Sequence, residues 1–234
     1  VQGPEGFKKS FRDECLIPEY AVIDPDLLES CPRELIAADG MDAFTQLLES
    51  YVSLKANPFI DALAWSGMTA FKEGFFAAWE GQEPEAANGR AAMAYASLLS
   101  GITLAQVGLG SVHGLASPLG AFFPIPHGVV CGTMVAAATE INVQALQARE
   151  PDNPALTKYA QVGRLLTGRN DIGDSSARDS LIALLAEWSE TLQLPRLGNY
   201  GIGEADFAKI VANSRGSSMQ TNPIMLTDTE IEAI

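Results

Sequence analysis

The sequence is poor in the residues that build cross-linked or basic proteins. Three cysteines (Cys15, Cys31 and Cys131) are scattered over 234 residues, with no CxxC pair. An odd, dispersed set encodes neither a disulfide scaffold nor a cysteine-type zinc site, and a reducing, cytoplasmic location is the expectation. Lys and Arg total 15 against 29 Asp and Glu, a formal charge of −14. Nucleic acid and anionic membrane surfaces both need a basic footprint, so neither is expected as a partner. No uninterrupted apolar run reaches the ~18 residues of a membrane span. The N-terminal stretch VQGPEGFKKSF lacks the apolar centre of a signal peptide. The chain starts at Val1 rather than at Met, so a piece of a longer protein is expected. Histidine is scarcest of all. His113 and His127 are the only two, and any imidazole chemistry must use one or both.

A dinucleotide-binding unit is also missing. It needs a strand, a Gly-rich turn and a helix in succession. The nearest approach is Gly108-Leu109-Gly110-Ser111-Val112-His113, which has His113 in place of the third glycine and follows a helical stretch. NAD(P) is therefore expected only if a separate N-terminal half supplies that unit. Nor is there a 20–50-residue period of the kind solenoids show, or a low-complexity linker.

What is present points to a folded, helical core. Hydrophobic residues make up 47% and charged residues 19%, the opposite of a disordered chain. Residues 1–32 form an irregular lead-in. Within it, Tyr20 to Ile23, closed by Asp24-Pro25, reads as a short strand or as an extended segment lying across a helical body. From residue 33 the apolar period is helical. Asp39 reads as an N-cap, followed by Met41, Phe44, Leu47, Leu48, Tyr51 and Val52 at 3- and 4-residue steps. Asn57-Pro58 opens a second helix running to Trp79, which Gly81 ends, and residues 84–107 make an Ala-rich third. Pro154 to Leu166, Ser176 to Leu192, Glu204 to Asn213 and Asp228 to Ile234 read as four more. Thr227 and Glu230 hold capping-box spacing before the last. The expectation is one all-α domain of eight or nine helices over residues 33–234.

Three short pieces carry the polar chemistry. Asp42 and Gln46 are four apart, which places both on one helix face. His113 and His127 are separated by Pro118, Gly120, Pro124 and Pro126, so the segment between them can turn back and bring both imidazoles to one point. A carboxylate and two imidazoles suit Zn²⁺ or Fe²⁺ with a position left open. Two packed histidines and a capping Asp are the plainer alternative. No Lys or Arg lies between Arg33 and Lys55 to neutralise Asp42, and a buried, unpaired carboxylate is costly. Cys131, four after His127, reads as a small buried thiol that can in principle join the set.

These residues lie in longer motifs: Ala21 to Leu27 (AVIDPDL), Gly40 to Glu49 (GMDAFTQLLE), Gly108 to Gly120 (GLGSVHGLASPLG), Pro126 to Gly128 and Asn222-Pro223. Together, from about Ile17 onward, they resemble the iron-containing (group III) alcohol dehydrogenases, near the glycerol dehydrogenase and dehydroquinate synthase folds. The resemblance implies the helical, metal-binding half of an NAD(P)-dependent oxidoreductase acting on an alcohol or aldehyde, with a homodimer as its assembly. It places a divalent metal, iron or zinc, on Asp42, His113 and His127, with Leu109 on the substrate-pocket wall. Two positions depart from the pattern. The usual fourth ligand, a histidine, is Gln46, a weak neutral donor, and a further histidine is Ser117. Ser117 is either a proton relay or an ordinary hydroxyl before Pro118. The departures leave two alternatives open: a metal-free reductase similar to the maleylacetate reductases, with Gln46 on the substrate, and a helical partner or relic domain without catalysis of its own.

Overall fold

A computed structural model describes residues 6–8 and 13–234. Among these residues there are nine α-helices and no strand: α1 (Arg33–Val52), α2 (Pro58–Glu80), α3 (Glu85–Val107), α4 (Ser111–Phe122), α5 (His127–Arg149), α6 (Pro154–Thr167), α7 (Asp174–Thr191), α8 (Glu204–Ser214) and α9 (Asp228–Glu232). The expected all-α domain is what the structure shows. Residues 20–24 are extended but form no strand. They border α1 and α3, with Val22, Ile23 and Asp24 lining an apolar groove there. A lone extended segment with no neighbouring strand has no ladder to join.

The capping residues act as their sequence contexts imply. Asn57 accepts a hydrogen bond from the Ile60 N–H, with Pro58 at the first helical position. Thr227 and Glu230 form a reciprocal capping box on α9. The start of α1 differs from expectation. The helix begins at Arg33, after Pro32, and Asp39 lies inside it rather than capping it. Asp39-Gly40 resembles a break, but Gly40 is there for room: a Cβ on it would sit 2.4 Å from Phe75 Cε2.

Helix α1 is the axis of the domain, packed against α2, α3, α5 and α6. Met41, Phe44, Leu47 and Leu48 are fully or almost fully buried. Phe44, Phe71, Phe75 and Trp188 form an aromatic cluster, with the Phe71 and Phe75 rings stacked at 4.4 Å. The segment between His113 and His127, expected to turn back, is most of α4, a non-helical break at residues 123–126 and the start of α5. Burial of Val112, Leu115, Ala116 and Leu119 holds α4 together although Pro118 lies inside it. Helix α5 is apolar and long enough to cross a membrane by length and composition alone. It is a core helix here, with 67% of its most apolar window buried.

Candidate metal centre

Three helices converge on the polar residues of α1. Gly108 adopts φ +73, and the chain turns by 98° between α3 and α4. Beside it the Gly110 backbone fits closely against its neighbours: a Cβ there would lie 2.8 Å from Asn222 Oδ1 and 2.9 Å from Glu49 Oε1. With that approach possible, the first turn of α4 is tied down from two sides. The Ser111 N–H donates to Asn222 Oδ1 (3.0 Å) and the Val112 N–H to Glu49 Oε1 (2.7 Å). These contacts aim His113 at α1. His127, the first residue of α5, and Cys131, one turn on, approach from the other side.

The result is a compact donor cluster. Asp42, His113, His127 and Cys131 each offer one atom, and the four atoms lie within 4.8 Å of one another. His113 Nε2 is 3.1 Å and His127 Nε2 3.8 Å from Asp42 Oδ1. Cys131 Sγ is 3.6 Å from His113 Nε2 and 3.8 Å from His127 Nε2. Bonds of roughly 2.0–2.2 Å to a tetrahedral ion set nitrogen and oxygen donors about 3.3–3.6 Å apart. The donors thus stand where a single divalent ion fits.

His113 is held from behind by a residue the sequence reading gave no role. Its Nδ1–H donates to Glu49 Oε2 at 2.7 Å. That contact fixes the proton on Nδ1 and leaves Nε2 facing the cluster, the usual carboxylate support of a metal-binding imidazole. The signal was in the sequence: Glu49 follows Asp42 by seven residues, two helical turns, and so shares the face of Asp42 and Gln46. We expect Glu49→Gln to weaken divalent-metal affinity by roughly 10–100-fold, the range for losing such a partner, as read by competition with a chromophoric chelator. An unchanged affinity would contradict the supporting role.

Gln46 lies at the edge of the cluster. Its Nε2–H donates to Asp42 Oδ2 at 3.0 Å, and its Oε1 accepts from the Ser100 hydroxyl at 2.8 Å. Ser100 Oγ also stands 2.8 Å from the Ser97 carbonyl and has one proton for the two acceptors, so the Gln46 carbonyl keeps a free lone pair while its Nε2–H orients Asp42. Leu109 and Ser117 line a cavity of about 400 Å³ together with Lys8, Gln46, His113 and His127. The Ser117 hydroxyl donates to the Lys8 carbonyl at 3.4 Å, and Lys8 Nζ is 3.3 Å from His127 Nδ1. The apolar groove between the lead-in and α1–α3, about 410 Å³, shares none of the four donors.

Charge follows the geometry. Burial works against a charge on Asp42, but the hydrogen bond and charge of His113, with His127 and Cys131, outweigh it and keep the carboxyl below its usual range. Burial likewise opposes the His113 imidazolium. The Cys131 sulfur, the Glu49 carboxylate and the hydrogen bond to Asp42 raise it well above the usual histidine value. His127 is lowered by burial, helped by the charges of Lys8 and His113. Burial pushes the Cys131 thiol up to about 12.

Comparison with known proteins identifies the chain's relatives. The family model described as "Fe-containing alcohol dehydrogenase family, C-terminal" matches residues 36–234. The chain is 30% identical to alcohol dehydrogenase 4 of Saccharomyces cerevisiae over 97% of its length and 56% of that protein's. It is 33% identical to 1,3-propanediol dehydrogenase of Klebsiella pneumoniae over 93% of its length and 54% of that protein's. Among solved structures, a 1,3-propanediol oxidoreductase superposes with a TM-score of 0.80 at 30% identity, over 90% of this chain and 53% of that one. The chain therefore spans about half the length of the curated relatives it matches.

Proposed function

The chain belongs to the Fe-containing alcohol dehydrogenase family, matching its C-terminal part, and from that premise we propose that it is the metal- and substrate-binding half of an NAD(P)-dependent alcohol dehydrogenase. The observation that carries this is the convergence of Asp42, His113 and His127 beside an open cavity. When bound there, a divalent ion supplies Lewis acidity to the oxygen of an alcohol or aldehyde while a nicotinamide exchanges the hydride. The nucleotide-binding half would come from sequence beyond this chain.

This chain's own residues do the positioning. Asp42 supplies the negative charge that holds a cation in a partly buried place, and Gln46 fixes its rotation. Glu49 keeps the Nε2 lone pair of His113 free for the ion. His127, more exposed, borders the cavity through which substrate enters, and Leu109 forms part of the apolar wall. Ser117 lines the same cavity, its hydroxyl turned to the Lys8 carbonyl, which supports an ordinary hydroxyl over a proton relay. A metal-free site that uses Gln46 on the substrate is disfavoured, because the amide Nε2–H is committed to Asp42. The homodimer and the cytoplasmic location belong to the same proposal. The exposed apolar side chains of Ile17, Tyr20, Val22 and Leu27 offer a surface for the first, and three free cysteines suit the second.

Metal titration tests the reading: the metal-stripped protein should take up one divalent ion per chain. Gln46→Ala, which removes the hydrogen bond that orients Asp42, should weaken the affinity by about 10-fold, the low end for losing such a partner, and Gln46→His should tighten it by adding an imidazole beside Asp42. A protein that takes up no ion, or a Gln46→His variant that binds more weakly, would count against it. The chain alone should bind NADH only weakly. It has no strand–glycine–helix unit for the pyrophosphate, and its charge of −14 is repulsive. A micromolar dissociation constant from NADH fluorescence would contradict this.

A further inference from the structure

We infer that Cys131 is a fourth protein ligand to the ion, the substrate oxygen then taking a fifth position on the cavity side, and that its sulfur makes this a centre that prefers Zn²⁺ to Fe²⁺. The inference rests on the proposed metal site and deepens it. Cys131 is fully buried. The polar atoms its sulfur meets are donors of the cluster: both imidazole Nε2 atoms, at 3.6 and 3.8 Å, with the Asp42 carboxylate within 4.8 Å. A Zn–S bond of about 2.3 Å beside Zn–N bonds of about 2.0–2.1 Å puts sulfur and nitrogen roughly 3.5–3.6 Å apart; the distance to His113 matches this and that to His127 is about 0.2 Å longer. Helix geometry places the residue there. His127 and Cys131 are four apart at the start of α5, so both project from one face.

The sulfur adds a second anionic donor beside Asp42, while both imidazoles stay neutral. Binding replaces the thiol proton by the ion, and that proton leaves to buffer. No redox change is involved. A soft thiolate favours Zn²⁺ over Fe²⁺ beyond the ordinary order of affinities.

The test uses Co²⁺ as a spectroscopic probe on the metal-stripped protein. Stoichiometric Co²⁺ should give visible d–d bands and a near-ultraviolet thiolate-to-cobalt charge-transfer band. The charge-transfer band should vanish in Cys131→Ser and Cys131→Ala and persist in Cys15→Ser and Cys31→Ser. Zinc X-ray absorption of the wild type should show one sulfur at about 2.3 Å, a readout that needs no variant to fold. Zn²⁺ affinity should fall in Cys131→Ser by at least about 100-fold, the upper end for losing a mere supporting partner, and Fe²⁺ affinity by less. A wild-type protein that binds one Co²⁺ without a charge-transfer band, and shows only nitrogen and oxygen around zinc, would overturn the inference and leave the metal site standing. Equal losses for Zn²⁺ and Fe²⁺ would overturn the preference. No stoichiometric binding by the wild type would overturn both the inference and the site.

Discussion

Replacing Asp42 by Ala is expected to abolish stoichiometric metal binding, with affinity falling by roughly 10³-fold or more. Losing an outer partner of a ligand costs 10–100-fold, and Asp42 is the charged oxygen donor at the middle of the cluster, 3.1 Å from His113 Nε2 and 3.8 Å from His127 Nε2. The fold should tolerate the change. His113 keeps its hydrogen bond to Glu49, and the residues flanking position 42, Met41 and Ala43, pack into the core through their own side chains. Metal analysis after dialysis, beside a far-ultraviolet circular dichroism spectrum, separates loss of the ion from loss of structure. A variant that stays folded and still carries one ion per chain would remove Asp42 from the ligand set.

Replacing Asn222 by Ala is expected to be the most damaging single change away from the cluster, at about 3–5 kcal/mol. Asn222 is 2% exposed. Its Oδ1 accepts the Ser111 N–H, and its Nδ2 donates to Asn142 Oδ1 (2.6 Å) and to the Ile224 carbonyl (2.8 Å). Asn142 in turn donates to the Ser111 hydroxyl at 3.0 Å. Truncation leaves one buried donor and two buried acceptors without partners, and each such group costs about 1–3 kcal/mol. The first turn of α4 loses its anchor, and His113 lies two residues further on. The urea midpoint should drop by the equivalent amount, and metal affinity should fall in the protein that remains folded. A loss below about 1 kcal/mol would mean that water or a rearranged Asn142 satisfies the freed groups.

The helical domain was legible because its punctuation is local. Asn57-Pro58, Gly81 and the Thr227–Glu230 pair each mark a boundary through bonds made within a few residues. Asp39 misled because Gly40 answers to Phe75, which lies 35 positions away in the chain and belongs to α2. Helices α4 and α5 were obscured for a similar reason: Pro118 and the glycines read as breaks, while the burial that overrides them comes from other elements. Asp42, His113 and His127 stood out as the scarce polar residues in apolar surroundings. Glu49 and Cys131 did not, because a Glu near a helix end and a lone Cys are ordinary residues until the chain is folded. Only the periodicity from Asp42 to Glu49, and from His127 to Cys131, carried the signal. That Gln46 turns its carbonyl to Ser100 depends on α3, and no reading of α1 alone reveals it.

The ligands lie far apart along the chain, and this gives a bound ion the character of a cross-link. Asp42 and His113 are 71 residues apart, and the intervening stretch holds the α2–α3 pair. In polymer terms, an ion that grips both ends closes a loop and removes conformations from the unfolded ensemble. By the chain-entropy relation used for disulfides, a loop of that length corresponds to about 4 kcal/mol. A chelator would therefore do more than empty a reaction site. It would reopen that 71-residue loop and leave α1 joined to α4 there through Glu49 and its hydrogen bonds to Val112 and His113.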